Sequence, residues 1–518
     1  MSSGNNASRT GIEDIAQRRE KAGKFVAGLA AVSNSDMFKG DQTGKPKAKR
    51  WDHHLTEEAK ARVPCTLKQA ARFLKQPGII SLGGGLPSSA VFPFESISMK
   101  VPTVPNFSEA DTATSGTTVT VGKYDARDGI GNYDLSIALN YGQSTGGAQM
   151  MRFLTEHAEM ICNPPYADWG VCQTIGSTGA LDAALRMFCE KNRGDAVITD
   201  EFSFSTALEA IDPLGIKAVG VSVDNQGILP EAMDELLSNW DAKARGSRKP
   251  HVLYTVPSGQ NPTGATQSLE RRQAIYKVAQ KHDIYILEDE PYYFLQMEPY
   301  KSTTSKAPSD VKEFIESLVP TYVGLDVDGR VMRLDSFSKV LIPGSRHGWI
   351  VASEQIIERY QRHAEVASQG PNGISQVLLH RLLDETWGHE GYLRWLMDLR
   401  SVYTVKRDAL LAACEKHLPS DLITWTPPAA GMFLWLTVDY SKHPDAGARS
   451  IEEVEEEIFD LAIKSGVLVA RGSWFRAEKD KPLSGLYFRT TFATATAEGM
   501  DEAISRFGKA VQDSFGCK

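Results

Sequence analysis

HVLYTVPSGQNPTGATQSLERRQAIYKVAQKHDIYILEDE (251–290) reads as one complete strand–helix–strand unit. HVLYTVP is short and apolar, SLERRQAIYKVAQKH is amphipathic at helix length, and DIYILEDE is a second apolar run that ends in acids. A helix joining two near-continuous apolar strands is the crossover of a parallel sheet covered on both faces. The same texture extends outward: WGVCQTIGS (169–177), GDAVITD (194–200), IKAVGVSVD (216–224), RVMRLDSFS (330–338) and HGWIVAS (347–353) are short apolar runs, most of them separated by helix-length segments. The expectation is an α/β fold with a mostly parallel central sheet in a large domain. Beyond about residue 385 the texture changes. Long helical stretches such as LRWLMDLRSVYTVKRDALLAACEKH (393–417) mix with GMFLWLTV, GVLVARG and YFRTTFA, which predicts a smaller α+β domain.

The bulk numbers narrow the function. The chain has 518 residues, 42% hydrophobic and 24% charged, as in a globular protein large enough for two or three domains. A formal charge of −8 argues against a nucleic-acid partner, because phosphate affinity rests on clustered Lys and Arg. The small basic run KPKAKR (45–50) reads as an import signal or as a solvated linker. Six cysteines form no CxxC pair and show no zinc spacing, so no metal site is expected, and reduced thiols place the chain inside the cell. No apolar run approaches a membrane span. The first twenty residues have no secretory core, and their acids Glu13, Asp14 and Glu20 do not suit a mitochondrial presequence, leaving the cytoplasm as the expectation.

In a parallel sheet, ligands sit beyond the carboxyl ends of the strands, and the polar chemistry of this chain falls there. SLGGGLPSS (81–89) lacks the third glycine of a dinucleotide loop, since Ser88 stands where it would be, and no GxxxxGK[ST] is present. GSTGALDAAL (176–185) sets Ser177 and Thr178 at the start of a helix, either as ordinary caps or as an anion site. YTVPSGQNPTG (254–264) is a fixed turn displaying Asn261, or only a loop. EDEPYYF (288–294) places Asp289 at a buried strand end, where it needs an ion-pair partner or the protonated nitrogen of a bound heterocycle. DSFSKVLIPGSRHGW (335–349) holds Lys339 between Ser338 and a Pro–Gly loop, with Arg346 following; most lysines in isolation are simply solvated. Arg489 lies within an apolar strand, where a guanidinium needs an anion, whether a structural carboxylate or a substrate. Taken together these parts suit a phosphorylated, ring-nitrogen aldehyde and a carboxylate substrate, a description met by pyridoxal 5'-phosphate.

YTVPSGQNPTG, EDEPYYFLQ, DSFSKVLIPGSRHGWI, AAGMFLWL and YFRTTFATA, in order from about residue 60 onward, resemble the aspartate-aminotransferase superfamily of fold type I. Within it the chain is most similar to the kynurenine/α-aminoadipate aminotransferases and the fungal aromatic-amino-acid aminotransferases, the second through the arm SDMFKGDQTGKPKAKRWDHHLTEEAKAR. The resemblance implies an N-terminal arm (1–60), a small domain built from 61–110 and 385–518, and a large cofactor-binding domain (111–384). It implies Lys339 as the covalent anchor of pyridoxal phosphate and as general base, Asp289 on the ring nitrogen, and Asn261 and Tyr292 on the phenolic oxygen. Ser177, Thr178, Ser336, Ser338 and Arg346 would hold the phosphate, joined by Tyr124 from a neighbouring subunit of a homodimer. Arg489 would take the substrate α-carboxylate, with Asn261 beside it, and Gly85 would let substrate approach the backbone. Phe204 would stack on the ring where close relatives often carry tyrosine, so no hydroxyl acts there.

The implied reaction is ping-pong transamination between an amino acid, aromatic by first choice, and a 2-oxo acid such as 2-oxoglutarate. α-Aminoadipate and kynurenine stay open as donors. Lys68 and Arg72 are the candidate cations for a distal carboxylate, with plain helix-surface solvation the alternative for both. Another reaction on the same cofactor, or a cofactor-binding regulator, are the rivals. His347 is expected to be a packing or surface residue.

Overall fold

The structure, a computed structural model, describes residues 10–70, 73, 78–80, 82–302 and 307–516. The chain divides into two compact units, Met1–Phe188 with Asp310–Leu396, and Cys189–Ser309 with Met397–Lys518. Arg72 lies outside the described residues.

In the first unit, three fully buried strands lie side by side, with Gly348–Ser353 between Trp169–Thr174 and Val331–Ser336. Both pairings are antiparallel, which refines the expected mostly parallel sheet to one of mixed sense. The cause is the short link Phe337–His347, whose one regular turn is Pro343–Ser345. A parallel return needs a crossover of a dozen or more residues, usually helical, and this link has no room for one. Register then sets Thr174 opposite Gly348, and Gly348 opposite Ser336. The helix Ala148–Cys162, buried along almost its whole length, packs on Trp169–Thr174. Each of its Met150, Met151, Phe153 and Leu154 side chains, fully removed from water, contributes on the order of 1.5–3 kcal/mol.

The described part of the arm lies on the body of this same unit. Its helix, Ile12–Ala22, buries only Ile15 and is otherwise tied by charge. Arg18 pairs with Glu159 at 2.6 Å, and Arg19 with both Glu156 and Asp384, the latter at 2.5 Å. Further on, the buried Trp51 carries the Arg330 guanidinium over its ring at 4.8 Å.

In the second unit, four strands run parallel in the order Tyr285–Asp289, Val252–Thr255, Ala196–Asp200, Lys217–Val221. The helix Leu269–Lys281 makes the crossover read from the sequence, with Ser268 as its N-cap accepting from the Arg271 amide. Its inward residues are Arg272, Ile275, Tyr276 and Ala279. The parallel register brings Thr255 level with Glu288, so the carboxyl ends of these two strands share one edge. The C-terminal part adds four antiparallel strands in the order Ile423–Trp425, Phe433–Val438, Leu486–Thr491, Ala470–Arg471. Helices Ile451–Lys464 and Ala497–Ser514 complete this α+β part, and Phe488 meets Phe507 edge-on at 5.3 Å. No helix among the described residues is long and apolar enough to cross a membrane.

Candidate active site

The first unit gathers six of the residues singled out in the sequence. Strand Trp169–Thr174 passes through Ile175 and Gly176 into the helix Ser177–Phe188, so Ser177 and Thr178 head a helix of twelve residues. Its first amides lack intrahelical acceptors and point outward, the electrostatic condition for an anion. Gly176 has φ +92°, and a Cβ there would stand 2.6 Å from Nη2 of Arg346. The Arg346 guanidinium therefore lies over the backbone of that turn. Its Nη1 donates to Pro343 O at 3.0 Å and reaches Ser338 Oγ at 3.4 Å. Ser336 Oγ donates to Ser338 Oγ at 2.8 Å and accepts from the Ser338 amide at 3.1 Å. Two hydroxyls, a guanidinium and a helix start thus converge around the Gly176 turn.

Lys339, half-buried, follows directly. The turn that carries it is closed by the amides of Leu341 and Ile342, which donate to Phe337 O at 2.9 and 3.1 Å. Trp395 Nε1 donates to Val340 O at 2.6 Å and pins the neighbouring residue. On the other side Phe337 packs against His347 and Trp349, at 5.6 and 4.9 Å between ring centroids. His347 is wholly buried, and burial pulls its pKa down to about 3, so it is a neutral packing residue as expected. Tyr124, half-buried, follows the strand Thr117–Gly122 and carries the Arg127 guanidinium over its ring at 4.2 Å. Gly85 is exposed, with nothing within 4 Å of the place a Cβ would take. Lys68 donates to the carbonyls of Gly142 and Gln369 at 2.8 and 3.0 Å, so its ammonium is engaged with backbone rather than simply solvated.

The second unit gathers the others. Asp289 ends its strand 5% exposed, and Tyr254, from the adjacent strand, donates to its Oδ2 at 2.9 Å. Tyr292 is buried two residues past Glu290; burial first, and then the Asp289 charge, raises its pKa well above the usual phenol value. The Asn261 loop is held from several sides: Gln260 Nε2 donates to Phe202 O at 2.6 Å, and the Thr263 amide donates to Gln260 Oε1 at 2.8 Å. At Gly259, with φ +58°, a Cβ would collide with the Gly431 backbone at 2.5 Å, so the loop closes only on glycine. Asn261 Oδ1, thus fixed, accepts from Arg489 Nη1 at 2.7 Å. The Arg489 guanidinium is half-buried, and that burial lowers its pKa. Phe204 begins the helix Ser205–Ile211, and the Ser203 amide just before it donates to Phe475 O at 2.8 Å.

Three contributors were not singled out in the sequence. Tyr254, inside YTVPSGQ, is in the sequence one more residue of an apolar strand. Arg272, completely buried, donates to Ser258 Oγ at 2.8 Å and to Glu290 at 3.2 Å, tying the Asn261 loop to the segment after Asp289. Phe475, which with Phe433 flanks Arg489, comes from a stretch without periodicity.

An α/β chain with a lysine beside an anion cradle, and a buried acid with an arginine that among the described residues meets no carboxylate, has the parts of a cofactor-dependent group transferase. The family model for aminotransferase class I and II matches residues 140–507, and the chain belongs to that family. It is 44% identical over 473 residues to an aromatic amino acid aminotransferase of Schizosaccharomyces pombe, covering 90% of this chain and 98% of that one. Its fold superposes on the crystal structure of aminotransferase Aro8 from Candida albicans with a TM-score of 0.83 at 42% identity, covering 91% of this chain and all of the other. A mitochondrial kynurenine/alpha-aminoadipate aminotransferase of Bos taurus is 33% identical over 473 residues, covering 89% of this chain and 99% of its own. The protein is an aminotransferase of fold type I, with the α/β architecture of a large mixed-sheet domain and a smaller domain.

Proposed function

We propose that this aminotransferase moves an amino group from an aromatic amino acid to a 2-oxo acid such as 2-oxoglutarate, using pyridoxal phosphate held by the residues described above. The observation that carries the reading is Lys339 set beside the cradle of Gly176, Ser338 and Arg346. A phosphate needs a helix start, hydroxyls and a guanidinium, and Ser177, Thr178, Ser336, Ser338 and Arg346 are those groups. Asp289 fits a protonated ring nitrogen, because a buried carboxylate hydrogen-bonded by Tyr254 stays ionised most easily beside a cation. Asn261 and Tyr292 fit the phenolic oxygen and Phe204 the ring face.

Bound pyridoxal phosphate supplies an aldehyde that takes up amines and a ring that withdraws electrons from the substrate Cα–H bond. Lys339 would hold it through Nζ and, with that amine free, would take the substrate α-proton and return it, so one residue would serve as base and then acid. Arg489 grips the α-carboxylate that donor and acceptor share, and Asn261 fixes the angle of that grip. The donor product leaves before the acceptor binds, hence ping-pong kinetics.

The reading includes a homodimer in which Tyr124 reaches the neighbouring phosphate site. It is supported by bare apolar side chains near Gly85: Ile80, Leu82 and Val91 are 87%, 95% and 75% exposed. A cytoplasmic location is supported by the free thiols Cys65, Cys172, Cys189 and Cys414.

A panel of amino donors with 2-oxoglutarate tests the substrate. Phenylalanine, tyrosine and tryptophan are expected to lead. The bovine relative favours a second reading, kynurenine or α-aminoadipate as donor, and a clear preference for either would displace the aromatic assignment.

A further inference from the structure

Arg489 sits on Leu486–Thr491, the strand flanked on both sides, paired with Trp435 and with Ala470. Its guanidinium carbon lies 4.4 Å from the centroid of the Phe433 ring and 4.7 Å from that of Phe475. Both rings are buried, 7% and 3% exposed. Among the described residues no carboxylate pairs with Arg489, and its one hydrogen bond goes to the neutral Asn261 amide oxygen. The buried arginines of this unit are treated differently. Arg272 meets Glu288 and Glu290, Arg400 meets Glu298, and Arg407 meets Asp408.

The difference has a chemical consequence. A carboxylate partner occupies the in-plane N–H groups of a guanidinium, the same groups a substrate carboxylate would need. An aromatic face compensates the charge through its quadrupole from above or below the plane and uses none of them. Two faces therefore allow a desolvated cation to persist while its edge stays available. Both rings are themselves held: Phe433 stands edge-on to Tyr292 at 5.8 Å, and Phe475 stands edge-on to Trp435 at 6.2 Å and accepts the Ser203 amide at its carbonyl.

We infer that Phe433 and Phe475 are positioning residues that hold the Arg489 guanidinium for the carboxylate common to donor and acceptor. The inference rests on the reading of Arg489 given above. It makes the paired rings the determinants of carboxylate affinity, whatever the substrate side chain.

The test uses the full-length holoenzyme and the variants Phe475→Leu, Phe433→Leu, Phe475→Tyr and Arg489→Lys. Readouts are KM for 2-oxoglutarate and for the preferred donor, kcat, and the inhibition constant of 3-phenylpropionate, a carboxylate without an amine. Each leucine variant is expected to raise both KM values and weaken 3-phenylpropionate by about tenfold, with kcat changing much less. Phe475→Tyr, which keeps the ring face, restores affinity. Unchanged carboxylate affinity in the leucine variants overturns the inference, as does an equal loss of kcat and affinity that tyrosine fails to rescue. If Arg489→Lys binds 3-phenylpropionate as well as the wild type, the carboxylate role of Arg489 itself fails. If only that variant weakens, the role stands and the part assigned to the rings does not.

Discussion

The Lys339 turn of the first unit and the Asp289–Asn261–Arg489 group of the second solve opposite problems. The first is built near the surface from backbone amides, hydroxyls and an exposed arginine whose own φ is +47°. The second is built from buried and half-buried side chains whose proton affinities are displaced by desolvation, as Tyr254, Tyr292 and Arg489 show. A multiply charged phosphate suits the first kind of surface, which can meet it without stripping many buried charges. Discrimination among single charges suits the second, where each unmatched group is costly.

The largest expected effect separates the two at once. Lys339→Ala should abolish turnover, by more than about a thousandfold, together with the visible absorbance of the lysine-bound cofactor, while the second unit's geometry is untouched. Normal transamination by this variant would remove the whole assignment. Next in size, Arg489→Lys should lower kcat/KM by about a hundredfold for donor and acceptor alike, because an ammonium cannot reproduce the planar fork. An effect on one substrate only would mean that the other substrate's carboxylate binds elsewhere.

How much of this was legible in the sequence follows the same division. Ser336, Ser338, Lys339 and Arg346 lie within one contiguous stretch, and Ser177 and Thr178 directly follow an apolar strand, so local pattern exposed them. The partners in the second unit are far apart in the chain: Arg489 and Asn261 are separated by 228 positions and meet through sheet register and loop closure. Tyr254 is one of several apolar strand residues until the parallel register sets its hydroxyl against Asp289. Phe475 comes from GSWFRAE, where no period announces a ring aimed at an arginine. Strand direction was hidden as well, since a buried antiparallel strand such as Gly348–Ser353 reads as the same apolar run as a parallel one.

A smaller effect probes the surface side alone. Arg346→Ala should weaken retention of the cofactor by about tenfold or somewhat more, read by dialysis and reconstitution, with little change in KM for substrates in the reloaded enzyme. A selective rise in substrate KM would place Arg346 with the carboxylate instead.

The smallest concerns the buried side alone. Asp200, at the end of its strand and 1% exposed, has its pKa raised by burial to about 7 from 3.8. A carboxyl raised in the folded state contributes stability below its unfolded pKa, and that contribution is lost as pH rises toward 7, amounting to on the order of 4 kcal/mol. Asp200→Asn should therefore melt near the wild type at pH 4 and several degrees above it at pH 8. Equal melting at both values would show that this end of the strand is wetter than its burial implies.

The most direct test of the central assignment is stoichiometry. Holoenzyme supplied with an aromatic amino acid and 2-oxoglutarate should form one glutamate for each aromatic 2-oxo acid, with no net ammonia or carbon dioxide. Release of either gas-forming product without glutamate would contradict it.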